Sequence, residues 1–192
     1  MLIVGLLPLA CVGEVVAQVT AITGGSPNHI DLSIPVKASV ASACSSSVSG
    51  TYTVAEINNG FSHDFTFAIS CNLPSRIAVQ SLNGGLLAAV PTPPVNYSNI
   101  APYQITLHLV GDAGVTPANA VCDANTLTSG ASAPCTFRGP ASASQGLQLT
   151  GASAAAQGSY LRVGASIYSA GKTLVAASSY TDTLTVTLSA VR

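Results

Sequence analysis

Close to its end the chain reads Thr181-Asp182-Thr183-Leu184-Thr185-Val186-Thr187-Leu188, with Leu184, Val186 and Leu188 alternating against Thr183, Thr185 and Thr187. Successive side chains of a strand point to opposite faces, so this stretch offers one apolar face to a core and one hydroxyl face to water. Its Thr and Val residues also suit the pleated backbone. A second alternation stands near the other end, His29-Ile30-Asp31-Leu32-Ser33-Ile34-Pro35-Val36-Lys37-Ala38-Ser39-Val40, in which Ile30, Leu32, Ile34, Val36, Ala38 and Val40 are all apolar. Between the two, Ala, Ser, Thr, Gly and Val dominate, and no apolar stripe at helical spacing persists beyond about two turns.

This pattern predicts strands at residues 30–40, 51–54, 64–71, 77–81, 105–110, 146–150, 160–167 and 181–188. Turn signals such as Asn58-Asn59-Gly60, Asn83-Gly84-Gly85 and Gly111-Asp112 separate them. The expected fold is all-β, an immunoglobulin-like antiparallel sandwich. Residues 113–140, long and rich in Ala, Ser and Pro, read as a surface excursion. Few residues follow 181–188, so the sandwich is expected to be incomplete, lacking its last strand. An acceptor groove beside Leu184, Val186 and Leu188 would then expose core side chains and unpaired backbone. The strand over residues 29–40, with Ile30, Leu32, Ile34, Val36, Ala38 and Val40 on one face, is the candidate to fill that groove in a neighbouring copy.

Composition narrows the function. Of 192 residues only 7% are charged, and the net charge is -1. There is no basic stripe for nucleic acid, and a charge so near zero favours association over repulsion. Residues 1–17 combine a short apolar run with small residues before Gln18, the pattern of a secretory signal too short to span a bilayer. A lipid on Cys11 and a retained N-terminal helix are the alternatives. The expected organisation is a signal over 1–17, an extension and donor strand over 18–40, and a β-sandwich domain over 41–192. Setting Cys11 aside, Cys44, Cys71, Cys122 and Cys135 make an even set in an exported chain. Of three connectivities, Cys44 with Cys71 and Cys122 with Cys135 is preferred, because the first pair flanks strand-like runs and the second brackets a loop. A zinc site is disfavoured by the absence of C-x-x-C spacing and of a nearby His.

Enzyme chemistry finds no footing. The chain holds no G-x-S-x-G, phosphate-binding loop, H-E-x-x-H or dinucleotide fingerprint, and its acidic residues are sparse. His29, His63 and His108 are scattered, and His63-Asp64 reads as a strand start. Asp112 and Asp123 read as turn residues rather than calcium ligands. Tyr97, Tyr103, Tyr160, Tyr168 and Tyr180 could form a stacking platform, but without neighbouring Arg residues they read as core and edge packing. Catalytic residues, metals and cofactors are not expected.

Four features resemble the spore coat protein U domain, the family that includes subunits of archaic chaperone-usher pili. An alternating strand closes on Ser42-Ala43-Cys44; Phe65-Thr66-Phe67-Ala68-Ile69-Ser70-Cys71 closes on a second Cys; Pro102-Tyr103-Gln104-Ile105 is similar to the family's tyrosine-containing middle strand. Gly158-Ser159-Tyr160 and the run from Tyr180-Thr181-Asp182-Thr183 resemble its ending. The resemblance implies a sandwich completed by a donor strand, first from a periplasmic chaperone and then, at the outer-membrane usher, from the next subunit. The implied product is a homopolymer, a fimbria on the cell surface with a role in adhesion and biofilm. A tip or adapter subunit and a spore-coat-type surface protein are the alternatives. Pro35 cannot donate a ladder bond, so the donor either loses one bond there or stops near Ile34, with the domain's own first strand starting at Val36. Six apolar side chains entering an open core would contribute roughly 10 kcal/mol in sum before ordering costs.

Overall fold

The computed structural model describes residues 20–21, 32–33, 40–47, 50–54, 56–90, 92–169 and 171–191. It divides into two compact units, Met1–Ala41 and Ser42–Arg192. In the first unit β1 (Thr20–Ala21) pairs antiparallel with β2 (Leu32–Ser33), Thr20 opposite Ser33 and Ala21 opposite Leu32.

The second unit is all-β. Its strands are β3 (Cys44–Ser47), β4 (Phe61–Cys71), β5 (Ser75–Ser81), β6 (Leu86–Ala88), β7 (Tyr97–Ser98), β8 (Ile100–Ala101) and β9 (Gln104–Leu109). These are followed by β10 (Ala118–Asp123), β11 (Leu147–Leu149), β12 (Ser159–Ala165), β13 (Thr173–Leu174), β14 (Tyr180–Thr181) and β15 (Leu184–Ala190). The larger sheet runs β10-β9-β12-β4-β3 and a second runs β11-β5-β15. Two small sheets, β14-β6-β8 and the parallel pair β13-β7, lie among the connections. Every other ladder described is antiparallel. The arrangement is consistent with a β-sandwich.

The core follows from alternation. On β4 the inward positions are Phe61, His63, Phe65, Phe67, Ile69 and Cys71, while Ser62, Asp64, Thr66, Ala68 and Ser70 face out. Ile105, Leu107 and Leu109 of β9 join Leu161 and Val163 of β12 from the same sheet. Ile77 and Val79 of β5 and Leu149 of β11 complete the cluster from the other. Two disulfides, Cys44–Cys71 and Cys122–Cys135, close loops of 27 and 13 residues. In a chain-entropy account they stabilise by about 3 to 4 and about 3 kcal/mol. Disulfides form and persist chiefly in oxidising compartments.

Four sequence expectations need correction. Residues 51–54 form no strand: the Thr-Tyr-Thr-Val pattern is β-like, but the segment leaves the sheet edge and lays its tyrosine on a ring of β4. Residues 113–140 are not a mere excursion. They hold β10 and supply Ala124, Leu127 and Phe137, each almost fully buried. Backbone bonds from Val79 N–H to the Phe137 carbonyl and from Gly139 N–H to the Val79 carbonyl, 2.8 Å each, lay this segment along β5 beyond the end of β11. His63-Asp64 is no strand start but lies within β4, since Phe61 already begins the inward alternation. The strand read over 181–188 is broken at Asp182, whose side chain is drawn into a hydrogen-bond network and splits β14 from β15.

Candidate functional site

The features that make a site here are two strand edges facing one apolar cavity. Residues 61–67 of β4 pair with β12, Ser159 opposite Phe67 through Ala165 opposite Phe61. On the other side of β4, β3 covers only the far end, from Cys44 opposite Cys71 to Ser47 opposite Ala68. Among the described residues no strand pairs with 61–67 on that side. In the second sheet β15 is also an edge, paired with β5 alone, Leu184 opposite Ser81 through Ala190 opposite Ser75.

Between these edges lies a groove of about 440 Å³. Phe61 and Phe65 of β4, Leu161 and Val163 of β12, and Leu184 and Val186 of β15 line it. Phe61, Phe65, Leu184 and Val186 are only partly buried although they pack against the core. At about 25 cal/mol per Å², each further 40 Å² of apolar surface covered is worth about 1 kcal/mol.

A segment without regular structure borders the groove. Gly50 lies so close to Phe65 that a Cβ there would meet the ring at 2.8 Å, so any other residue at this point would displace the ring. Beyond it the Tyr52 ring stacks on His63, 4.0 Å between centroids and 5° from parallel. His63 in turn meets Phe65 edge-on at 4.8 Å. Tyr52 keeps 40% of its surface exposed.

The other end of the groove is polar. The Asp182 carboxylate accepts from Ser81 Oγ at 2.6 Å, Tyr103 Oη at 2.8 Å, Asn83 N–H at 3.0 Å and Thr183 N–H at 2.7 Å. Four donors fill its acceptor sites. They come from the end of β5, the turn after it, the start of β9 and the start of β15, so one side chain ties both sheets together beside the cavity. Burial, then the Asp182 charge and the hydrogen bond to it, hold the Tyr103 phenol well above its ordinary range.

Of the acceptor-groove residues expected from sequence, Leu184 and Val186 line the cavity, whereas Leu188 sits farther along β15 and packs on the core. For the donor face, Ile30, Ile34, Val36 and Ala38 lie outside the described residues. Leu32 belongs to β2 opposite Ala21, and Val40 is 87% exposed outside any strand. Sequence reading missed Tyr52, Phe61, Phe65, Leu161 and Val163 as lining residues. The run Phe61, Phe65, Phe67, Ile69 at even spacing carried a signal for β4, but which edge stays open depends on where β3 stops. Among the described residues no three His, Cys, Asp or Glu side chains converge as metal ligands do.

No protein-family model, curated protein or solved structure matches the chain. Its function is therefore argued from the groove itself.

Proposed function

We propose that the chain is a structural subunit of an extracellular fimbria, an incomplete immunoglobulin-like sandwich finished by a strand from another copy. The single observation that carries this reading is the groove: two strand edges, residues 61–67 and β15, border one apolar cavity. An entering strand with apolar residues at alternate positions satisfies backbone on its flanks and buries side chains between Phe65 and Val186. The sequence carries such a strand over residues 29–40. The resemblance to the spore coat protein U domain supports the same reading and supplies the route, a periplasmic chaperone strand that holds the groove until an outer-membrane usher exchanges it for the next subunit's. Because donor and acceptor are different surfaces of one molecule, the contact repeats head to tail and yields an open polymer rather than a closed dimer. No nucleic acid or cofactor enters the scheme.

Ile34→Asp places a charge in the middle of the donor face, and an unpaired carboxylate in an apolar groove is strongly disfavoured. The expected outcome is a folded, chaperone-bound monomer that does not polymerise, read by size-exclusion chromatography and negative-stain microscopy. Filaments of ordinary length from Ile34→Asp would refute the donor assignment.

A further inference from the structure

A second, larger depression borders the apolar groove at Phe61 and Tyr103. A trough of about 900 Å³ is lined by Gln104 and Thr106 of β9, Arg162 and Gly164 of β12, and Asp123 at the end of β10. Residues 166–169 and 171–172 border it, among them Ile167, Tyr168 and Lys172. The sheet residues belong to the outward-facing set, since Ile105, Leu107, Leu161 and Val163 fill the opposite face. Gly164 occupies the outward position next along β12 from Arg162, where any side chain would rise into the trough.

The polar groups here are already fixed. Gln104 Nε2 donates to Asp123 Oδ1 at 3.0 Å. Arg162 donates to both oxygens of Asp64, from Nε at 2.6 Å and Nη2 at 2.8 Å, and its guanidinium lies 5.0 Å from the centre of the Tyr160 ring. Tyr160 stacks on His108 at 4.9 Å. Tyr168 is held by the bond from its hydroxyl to the Lys172 carbonyl, 2.8 Å. After these bonds the Gln104 Oε1, Asp123 Oδ2 and Arg162 Nη1 atoms keep free capacity among the described residues.

We propose that this trough is a binding site for a neutral pyranose saccharide. Adjacent sugar hydroxyls each donate and accept, and the amide oxygen of Gln104 and carboxylate of Asp123 can accept from them while the guanidinium of Arg162 can donate to them. The carbon face of the ring needs an apolar partner, which Tyr168 and Ile167 provide. Charge excludes the main rivals: Asp64 and Asp123 balance Arg162 and Lys172, so a phosphate or polyanion gains no net attraction. The trough is open and wet, so a single sugar binds weakly and repetition along a filament would multiply the effect. The site itself does not depend on the fimbrial reading.

The test uses the full chain, unpolymerised, against two arms: an array of neutral and anionic oligosaccharides, and the polysaccharide purified from the cells that make the protein. Retention of neutral pyranosides is expected, with binding weakened about tenfold by Gln104→Ala, the loss of one well-placed hydrogen-bonding group. Gln104 is exposed, so the variant keeps its fold, checked by circular dichroism. The arm that binds assigns the source, a foreign surface or the cell's own matrix. No retention in either arm, retention of anionic sugars only, or undiminished binding by Gln104→Ala would each overturn the assignment.

Discussion

The two halves of β4 share one strand and one alternation but have different fates. Toward its end Phe67, Ile69 and Cys71 are 7%, 2% and 0% exposed, β3 pairs along the edge, and the Cys44–Cys71 disulfide locks the ladder. At its start Phe61, His63 and Phe65 are only half-buried, and the segment from Gly50 passes by without pairing. Burial here is decided less by side-chain type, since Phe occurs in both halves, than by whether a neighbouring strand covers the edge. A half-finished strand inside an otherwise well-packed domain is what an acceptor for another strand requires.

The largest expected effect breaks the closed half. Replacing both Cys44 and Cys71 by Ala removes the constraint on a 27-residue loop and costs about 3 to 4 kcal/mol, seen as a lower urea midpoint under oxidising conditions. Ile69→Ala comes next: a fully enclosed side chain leaves a cavity, and unfolding free energy falls by about 3 kcal/mol. Phe65→Ala, in the open half, costs the monomer less, about 1 to 2 kcal/mol, because part of its ring already meets solvent. The contrast sharpens on assembly, where Phe65→Ala weakens polymerisation more than Ile69→Ala does, measured by filament yield at equal monomer stability in mild denaturant.

Smaller effects come from the polar groups. Tyr103 is held neutral in the fold above its ordinary pKa of 10.0. Its contribution is present in full below that pH and lost above it, where the unfolded chain ionises first. Urea midpoints measured on either side of about pH 10 fall with rising pH, and Tyr103→Phe flattens the fall. Smallest is the pair of Asp64 with Arg162. The hydrogen bond to Arg162, against a small burial cost, holds the Asp64 carboxyl below its ordinary range, so the pair helps above that range and is lost as pH falls through the lowered value. Both side chains are exposed, so Arg162→Ala leaves the midpoint nearly unchanged. A carbon-detected titration of Asp64 reads its return toward the ordinary value.

The strands with dense alternation were legible in the sequence. Leu184, Val186 and Leu188 announced β15, and Phe65, Phe67 and Ile69 announced β4, because period 2 is a local property. Both disulfides followed from where the cysteines fall relative to those runs. What failed was long-range. Thr51-Tyr52-Thr53-Val54 has strand propensity, but packing of Tyr52 on His63 overrides it. Leu127 and Phe137, isolated among Ala, Ser and Pro, gave no periodic signal, yet both are fully buried. The groove was only half legible: Leu184 and Val186 were named, while its opposite side is set by the place where β3 stops, which no local pattern encodes. The Asp182 network joins three separated stretches, 81–83, 103 and 182–183, and is equally invisible before folding.

The central claim is that residues 29–40 of one molecule occupy the groove of another. Two chains that keep the native disulfides and each carry one added cysteine test it directly, one with the cysteine at position 32, 34 or 36 and the other with Val186→Cys, mixed under assembly conditions and oxidised. The account predicts a covalent dimer joining the two different chains, identified by mass spectrometry of the linked peptides, for at least one of the three donor positions. Filaments that form normally while no donor position links to position 186 of another chain would contradict it.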